Sequence, residues 1–500
     1  MELTHIQKEI MNISGNLIVC ASAGTGKTHT MINKIVKDIE CNHTHKVVAA
    51  ITFTIKAAQE IKDRLSIDIG QHFIGTNNSF AIEEVIKPFM KDVYGEDFDI
   101  DMSTDYQSKI EEFQYGLEKI KSSGIIGSYQ DGKKNFVFEL AQNIVEKSLA
   151  CKLYLQSKYF KLYIDEYQDC DQTMHTFFMY LCDELGINTF IVGDEKQSIY
   201  MWRGAYPKAF KGIWEKSNFE KRVMSENFRS CQQIQNYSNL LCKETRDLFC
   251  PIDVLDSIVL ITALEEDWML QVAARIDSKK KSALLRYKQN DANIGAKNLS
   301  KLGVEYIYIP PIPIADIAAD TAWLYTAIAK YLVVEGYSVY DFIYEIPAEG
   351  DDSRKTVSTI KNFLDNIKCA TSNEDCFCLG VIEFFEYMGC STKKSYLGKL
   401  FKTVSNTSFH VAFSPEKYNH VAMTIHSSKG LEFEQVIVFA EDYALSNIES
   451  IYNHYVAVTR ARSKLIIVRI KDSDKADKFQ NNIEKILDEC RLTLGDIVSI

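Results

Sequence analysis

Proline is scarce, eight in 500 residues, and it never clusters with glycine or serine into a linker. With no low-complexity tract either, the expected domains nest within one another instead of following like beads. Long apolar runs are also missing. Stretches such as Leu465-Ile466-Ile467-Val468 are strand-sized and far short of a membrane span. The opening residues Met1-Glu2-Leu3-Thr4-His5 lack the basic and apolar regions of a signal peptide. The expectation is a cytoplasmic protein without membrane partners. The thirteen cysteines are odd in number and have no paired spacing, so they read as reduced core thiols rather than a disulfide framework. Positive charge is not in excess. A net charge of -11 excludes a broad basic coat for duplex DNA, but leaves room for a narrow groove in which bases of one strand stack.

What is present is an ordinary globular balance, 46% apolar and 11% aromatic, in a chain too long for one core. Three or four folding units are expected. Leu17-Ile18-Val19-Cys20 reads as a buried strand. It runs into Ala21-Ser22-Ala23-Gly24-Thr25-Gly26-Lys27-Thr28, followed by helix-compatible residues from His29 to about Ile39. Strand, Gly-rich turn and helix in that order form the context of a phosphate-binding loop. Gly24 and Gly26 would let backbone N–H groups approach phosphate oxygens. Lys27 would neutralise the β- and γ-phosphates of ATP, and Thr28 would hold Mg²⁺. Ala21 stands where the strict pattern has its first glycine.

A second strand, Phe160-Lys161-Leu162-Tyr163-Ile164, ends in Asp165-Glu166-Tyr167-Gln168-Asp169. Alone, such an acidic pair would read as a solvated loop. Beside a phosphate loop it reads as Asp165 for the metal and Glu166 for the attacking water.

The string Asp-Glu-x-Gln-Asp resembles motif II of the superfamily 1A helicases, the UvrD/Rep/PcrA group, and other motifs of that group follow in order. Leu3-Thr4-His5-Ile6-Gln7 is similar to the Q motif, Ile51–Ala58 to motif Ia and Gly75–Phe80 to motif Ib. Gly193–Ala205 resembles motif III, Asn227-Phe228-Arg229-Ser230 motif IV, Thr424–Phe433 motif V and Tyr455–Arg462 motif VI. These segments cover roughly 4–80, 160–230 and 421–470.

The resemblance implies an α/β fold of two RecA-like parallel-sheet lobes, with a helical 1B insertion and a reduced 2B insertion. Lobe 1A would take 1–80 and 154–225, with 1B at 81–153. Lobe 2A would take 226–335 and 416–500, with 2B at 336–415. Ser282–Arg286 and Val304–Ile309 would be strands of lobe 2A. The family assigns the γ-phosphate to Arg229 and Arg460, with Gln197 as its sensor. It assigns the adenine edge to Gln7, the adenine face to Phe228 and the ribose to Glu432. Phe53, Tyr200 and Trp202 are candidates to stack on unpaired bases, and Arg203 and His426 to relay nucleotide state to the strand. Motif Ib departs from the pattern, with Asn77-Asn78 where many relatives have Phe-His.

The implied activity is ATP-dependent translocation on single-stranded DNA and duplex unwinding, 3′-to-5′ by family, and the short 2B supports translocation more than unwinding. The residues after motif VI are few, so a nuclease of its own, as in RecB/AddA-type relatives, is not expected. A second reading is a DNA-end-sensing NTPase that unwinds little by itself and works with an ATPase–nuclease partner. Compact length and a small 2B region resemble the helicase-like subunits of Gabija-type antiphage systems. Cys369, Cys376, Cys378 and Cys390 lack a CxxC pair and so argue poorly for zinc. His43 and His45 read as a solvated turn.

Overall fold

The structure is a computed structural model that describes residues 3–65, 70–98, 101–199, 204–206, 208–317, 321–346 and 354–499. Its strands, in chain order, are β1 (Leu17–Ala21), β2 (Val47–Thr52), β3 (Phe73–Thr76), β4 (Ser103–Ile110), β5 (Ile125–Tyr129), β6 (Tyr159–Ile164), β7 (Asn188–Gly193) and β8 (Glu220–Met224). They continue with β9 (Ile258–Ala263), β10 (Ser282–Arg286), β11 (Ile307–Tyr308), β12 (His420–Thr424), β13 (Phe433–Phe439) and β14 (Ala461–Ile470). The chain divides into two compact units.

The first unit comprises 1–103, 107–274 and 428–500. Its main sheet has the order β3-β2-β6-β7-β1-β8, parallel throughout. The strands are near-continuous apolar runs because helices cover both faces of such a sheet. Leu17, Val19, Ala50, Tyr163, Phe190 and Val192 share one core with Ile10 of helix α1 (His5–Asn12) and Met31 and Ile35 of helix α2 (Lys27–Glu40). The phosphate-loop strand β1 lies between β7 and β8, and β6 is next beyond β7. The carboxyl ends of β1, β7 and β6 therefore carry 22–28, 194–198 and 165–169 side by side, where ligands of open α/β sheets bind. The same unit holds the parallel set β13-β14-β9.

The second unit comprises 104–106 and 275–427. It contains the parallel strands β11-β12-β10 and an all-helical core. Helices Ala322–Val333, Val339–Tyr344, Arg354–Cys369, Glu374–Tyr387 and Lys394–Ser405 meet around Leu324, Phe342, Leu364, Phe384 and Leu400.

Several details differ from the sequence expectations. The segment 81–153 is mostly helical but also carries the two-stranded β4–β5 sheet. The run Ser103-Thr104-Asp105-Tyr106-Gln107 is polar, and only partial alternation of buried positions marks it as a strand. In 304–309 only Ile307–Tyr308 pairs as strand. Helix Ala322–Val333 belongs to the helical core, ahead of the expected boundary at 336. All the cysteines are free, but Cys41, Cys250, Cys369 and Cys376 are exposed and not core thiols. Among the described residues no group of His, Cys, Asp or Glu is arranged to hold a metal, and no helix is long and apolar enough to cross a membrane. His43 and His45 are exposed in the turn after α2.

Candidate active site

Strand β1 delivers the chain into a turn that only glycine adopts without strain at two places: Gly24 has φ +77° and Gly26 φ +80°. Thr25 closes the turn by donating its hydroxyl to the Ser22 carbonyl at 2.8 Å. Helix α2 starts at Lys27, so its unpaired amides and positive dipole end face the turn. Ala21, Ser22, Ala23 and Thr25 are buried beneath it, and Thr28 is half-buried on the first helical turn.

The motif IV segment lies against this loop. Phe228 N donates to the Gly24 carbonyl at 2.9 Å. A Cβ on Gly24 would stand 2.4 Å from Asn227 Oδ1 and 2.8 Å from Arg229 Cβ. Asn227 shapes the segment by accepting from the amides of Arg229 (2.8 Å) and Ser230 (3.1 Å). The Phe228 ring is left 48% exposed.

Asp165 continues the β6 direction, its amide donating to the Ile51 carbonyl at 3.0 Å. Glu166 then turns into the left-handed region (φ +51°), a strained state for a non-glycine residue that concentrates at functional sites. Its amide donates to Asp165 Oδ1 at 2.8 Å. Two lysines flank its carboxylate, Lys27 Nζ at 3.1 Å and Lys429 Nζ at 3.8 Å, and Gln168 donates to its second oxygen. The environments drive the two acids apart. Burial, reinforced by the Glu166 charge, holds the Asp165 carboxyl above the usual range. Burial acts the same way on Glu166 but is outweighed by Lys27 and Lys429, which hold it down. Lys429 also pairs with Asp169 at 2.5 Å and reaches the Gln197 carbonyl at 3.5 Å.

The arginines arrive from two directions. Arg229 donates Nε to Glu432 Oε2 at 2.7 Å and Nη1 to the Thr459 carbonyl at 3.3 Å. Glu432 receives Arg462 on its other oxygen. Both oxygens of this expected ribose ligand thus face guanidinium groups, and Arg229 and Arg462 outweigh burial to keep its pKa low. Arg460, 2% exposed, donates only to neutral oxygens: Val456 O at 3.0 Å, Leu431 O at 3.2 Å and Thr459 Oγ1 at 3.4 Å. Burial, and then the neighbouring Arg229 charge, lower its pKa to about 10. A buried cation without a hydrogen-bonded carboxylate is costly, and its charge suits an anionic ligand.

Asp194, fully buried, organises motif III. It accepts from Lys196 Nζ (2.7 Å), Gln197 Nε2 (2.8 Å) and the Tyr455 hydroxyl (3.2 Å). Gln7 is buried, with its oxygen accepting the Thr4 amide at 2.9 Å in a capping box. Its amide nitrogen donates to Thr30 Oγ1 at 3.0 Å and to the Thr25 carbonyl at 3.5 Å. Gln7 therefore braces the loop from behind.

The structure brings Lys27, Asp165, Glu166, Gln197, Arg229, Arg460 and Glu432 into the first unit around one loop. For the nucleic-acid candidates it gives less. Phe53 is half-buried in the bend after β2. His426 belongs to the second unit, its ring 5.8 Å from that of Tyr287. Tyr200, Trp202 and Arg203 lie outside the described residues. Asn77 of motif Ib points inward and donates to the Met174 sulfur at 3.3 Å. Sequence reasoning did not single out Lys429, Asn227, Asp194 or Tyr455. All four lie inside the quoted motifs, but only their contacts reveal what they do.

Comparison with known proteins agrees with this geometry. The model of the UvrD/REP helicase N-terminal domain matches residues 3–124 and 134–218, and that of the UvrD-like helicase C-terminal domain matches 419–468. Gabija protein GajB of Bacillus cereus (strain VD045) is 38% identical over 97% of this chain and 98% of its own length. The chain belongs to the UvrD/Rep helicase family. ATP-dependent DNA helicase Rep of Buchnera aphidicola subsp. Schizaphis graminum is 24% identical over 93% of both proteins. ATP-dependent DNA helicase PcrA of Staphylococcus aureus (strain Mu50) is 26% identical over 49% of this chain and 41% of its own length. The chain is thus a helicase-like ATPase of superfamily 1, and its N-terminal family match also takes in most of 81–153, which carries none of the motifs quoted above.

Proposed function

We propose that this chain hydrolyses ATP around Lys27 and Glu166 and couples that reaction to movement along single-stranded DNA, 3′-to-5′ by family analogy. The observation that carries the proposal is the pairing of Lys27 and Lys429 with Glu166 at the glycine turn, with Arg229 packed against Gly24 and the buried Arg460 charge beside Arg229. In this reading the amides of 24–28 and Lys27 hold the β- and γ-phosphates, as a helix N-terminus favours anions. Lys27 leaves Glu166 to do so, which frees that carboxylate to orient the attacking water and accept its proton. Thr28 and Asp165 are the residues to hold Mg²⁺. The raised, buried Asp165 carboxyl suits a cation partner, and Mg²⁺ there would neutralise phosphate charge. Arg229 and Arg460 stabilise charge developing on the γ-phosphate oxygens, with Gln197 sensing it. Gln7 and Phe228 lie at the adenine side and Glu432 at the ribose. Phe53, Tyr200 and Trp202 stack on bases, and Arg203 and His426 relay nucleotide state. The chain is read as two RecA-like lobes and two insertions, with the second insertion's helical core starting at helix Ala322–Val333 and not at 336, in a cytoplasmic protein.

A second reading is favoured by one observation, the end-to-end similarity to Gabija protein GajB. In it the chain is a DNA-end-sensing NTPase that acts with an ATPase–nuclease partner and separates strands poorly by itself. A strand-displacement assay on the isolated chain, run beside DNA-stimulated phosphate release, divides the two. Unwinding in step with hydrolysis supports the motor. End-stimulated hydrolysis without unwinding, together with stable co-purification of a nuclease, supports the sensor. No nucleotide hydrolysis under either condition overturns both.

A further inference from the structure

Tyr455, 1% exposed on helix Ile448–Val458, is the only side chain among the described residues that hydrogen-bonds both the phosphate loop and motif III from motif VI. Its hydroxyl accepts the Ala23 amide at 3.3 Å and donates to Asp194 Oδ2 at 3.2 Å. The same Asp194 oxygen accepts Gln197 Nε2 at 2.8 Å. The other oxygen takes Lys196 Nζ at 2.7 Å, and Lys196 reaches back to Ser22 Oγ at 3.3 Å. That ammonium also lies 5.4 Å from the Tyr455 ring centroid, within cation–π range. The circuit is closed and buried: loop, Tyr455, Asp194, Lys196, loop. On the helix side, the Tyr455 carbonyl accepts the Thr459 amide at 3.0 Å and its hydroxyl at 2.8 Å. Thr459 is the residue before Arg460 and supplies one of the Arg460 partners.

We infer that Tyr455 is a positioning residue for hydrolysis: its hydroxyl fixes the loop amide, the Gln197 amide and the helix that leads into Arg460 in one mutual register. The inference rests on the proposed ATPase reading. Hydrogen bonds to a buried carboxylate are the stronger kind, and in a low-dielectric circuit each bond polarises the next. A 1 Å misplacement of catalytic groups lowers rate far more than binding. Tyr455 itself touches no phosphate position, so its loss should act on turnover and spare affinity.

The test is Tyr455→Phe in the full chain, which keeps the ring and the contact with Lys196 and removes only the hydroxyl. Steady-state phosphate release with single-stranded oligonucleotide should show kcat lowered roughly tenfold or more, for a lost charge-assisted bond converted to rate. KM for ATP should move less than about threefold, and the melting temperature less than a few degrees. A second variant, Ser22→Ala, breaks the circuit at its far end. Combined with Tyr455→Phe it should cost less than the product of the two single effects, because both open the same circuit. Unchanged kcat in Tyr455→Phe overturns the inference. So does a fall in kcat that follows a matching loss of folded protein, or full multiplicativity with Ser22→Ala. If the unaltered chain neither binds nor hydrolyses ATP, the ATPase reading fails first and this inference with it. If the unaltered chain is active and Tyr455→Phe equals it, only this inference fails.

Discussion

Replacing Arg460 by methionine separates the function of that residue from its contribution to stability. The side chain is buried and its three donors end on neutral oxygens. Losing them costs about 0.5–1.5 kcal/mol each. Removing a desolvated charge that Arg229 repels offsets much of this loss, because a buried cation with no hydrogen-bonded carboxylate is itself costly. The net change in stability should lie within about 2 kcal/mol of zero, a shift of only a few degrees in melting temperature for a domain of this size. Turnover behaves differently. A guanidinium acting on a transferring phosphoryl group is worth about 10³–10⁵ in rate, equivalent to roughly 4–7 kcal/mol of barrier. Calorimetry on the nucleotide-free protein, paired with phosphate release, reads both quantities. The reasoning is refuted if Arg460→Met hydrolyses within tenfold of the unaltered chain, or if it unfolds outright.

Other outcomes follow from the same geometry. Lys27→Ala should abolish turnover and free Glu166 from its 3.1 Å partner; appreciable residual hydrolysis in a purified sample would refute the loop assignment. Gly24→Ala places a methyl 2.4 Å from Asn227 Oδ1 at a φ of +77°, so it should displace the motif IV segment and lower turnover at least tenfold, measured beside melting. Acidification should raise the Mg²⁺ requirement. Asp165 titrates above the ordinary carboxylate range and a protonated carboxyl cannot hold the cation. Half-saturation for Mg²⁺ should therefore climb as pH falls through that raised pKa, with excess Mg²⁺ restoring the rate, and a pH-independent requirement would remove Asp165 from the metal site. Trp202→Ala should weaken DNA stimulation while basal hydrolysis persists, as read by phosphate release with and without oligonucleotide.

The sequence made the chemistry more legible than the architecture. A phosphate loop, an acidic strand end and two arginines are local strings whose function fixes residue type and spacing, so their ordered combination could be recognised, although the acidic pair alone would read as a solvated loop. Their meeting at Gly24 could not. It depends on β1, β7 and β6 being neighbours, a fact of strand order that no local pattern encodes. The brackets that hold the site were hidden for a related reason. Asp194, Tyr455 and Lys429 act through contacts between segments far apart in the chain, and nothing in the composition of either segment announces them. The β4 strand was missed because Ser103–Gln107 is polar and its burial alternates only in part. The start of the helical core was misplaced because helix Ala322–Val333 is apolar on most sides, which blurs the periodicity that would separate it from a buried strand.

The central claim is that phosphate loop, acidic pair and arginines form one ATP-hydrolysing centre answerable to single-stranded DNA. Phosphate release by the purified chain, followed with and without a single-stranded oligonucleotide and beside Glu166→Gln, tests it most directly. Hydrolysis that rises with the oligonucleotide and is lost in Glu166→Gln, while the variant still binds ATP, is the predicted result. Hydrolysis that ignores the oligonucleotide, or that survives in Glu166→Gln, would contradict it.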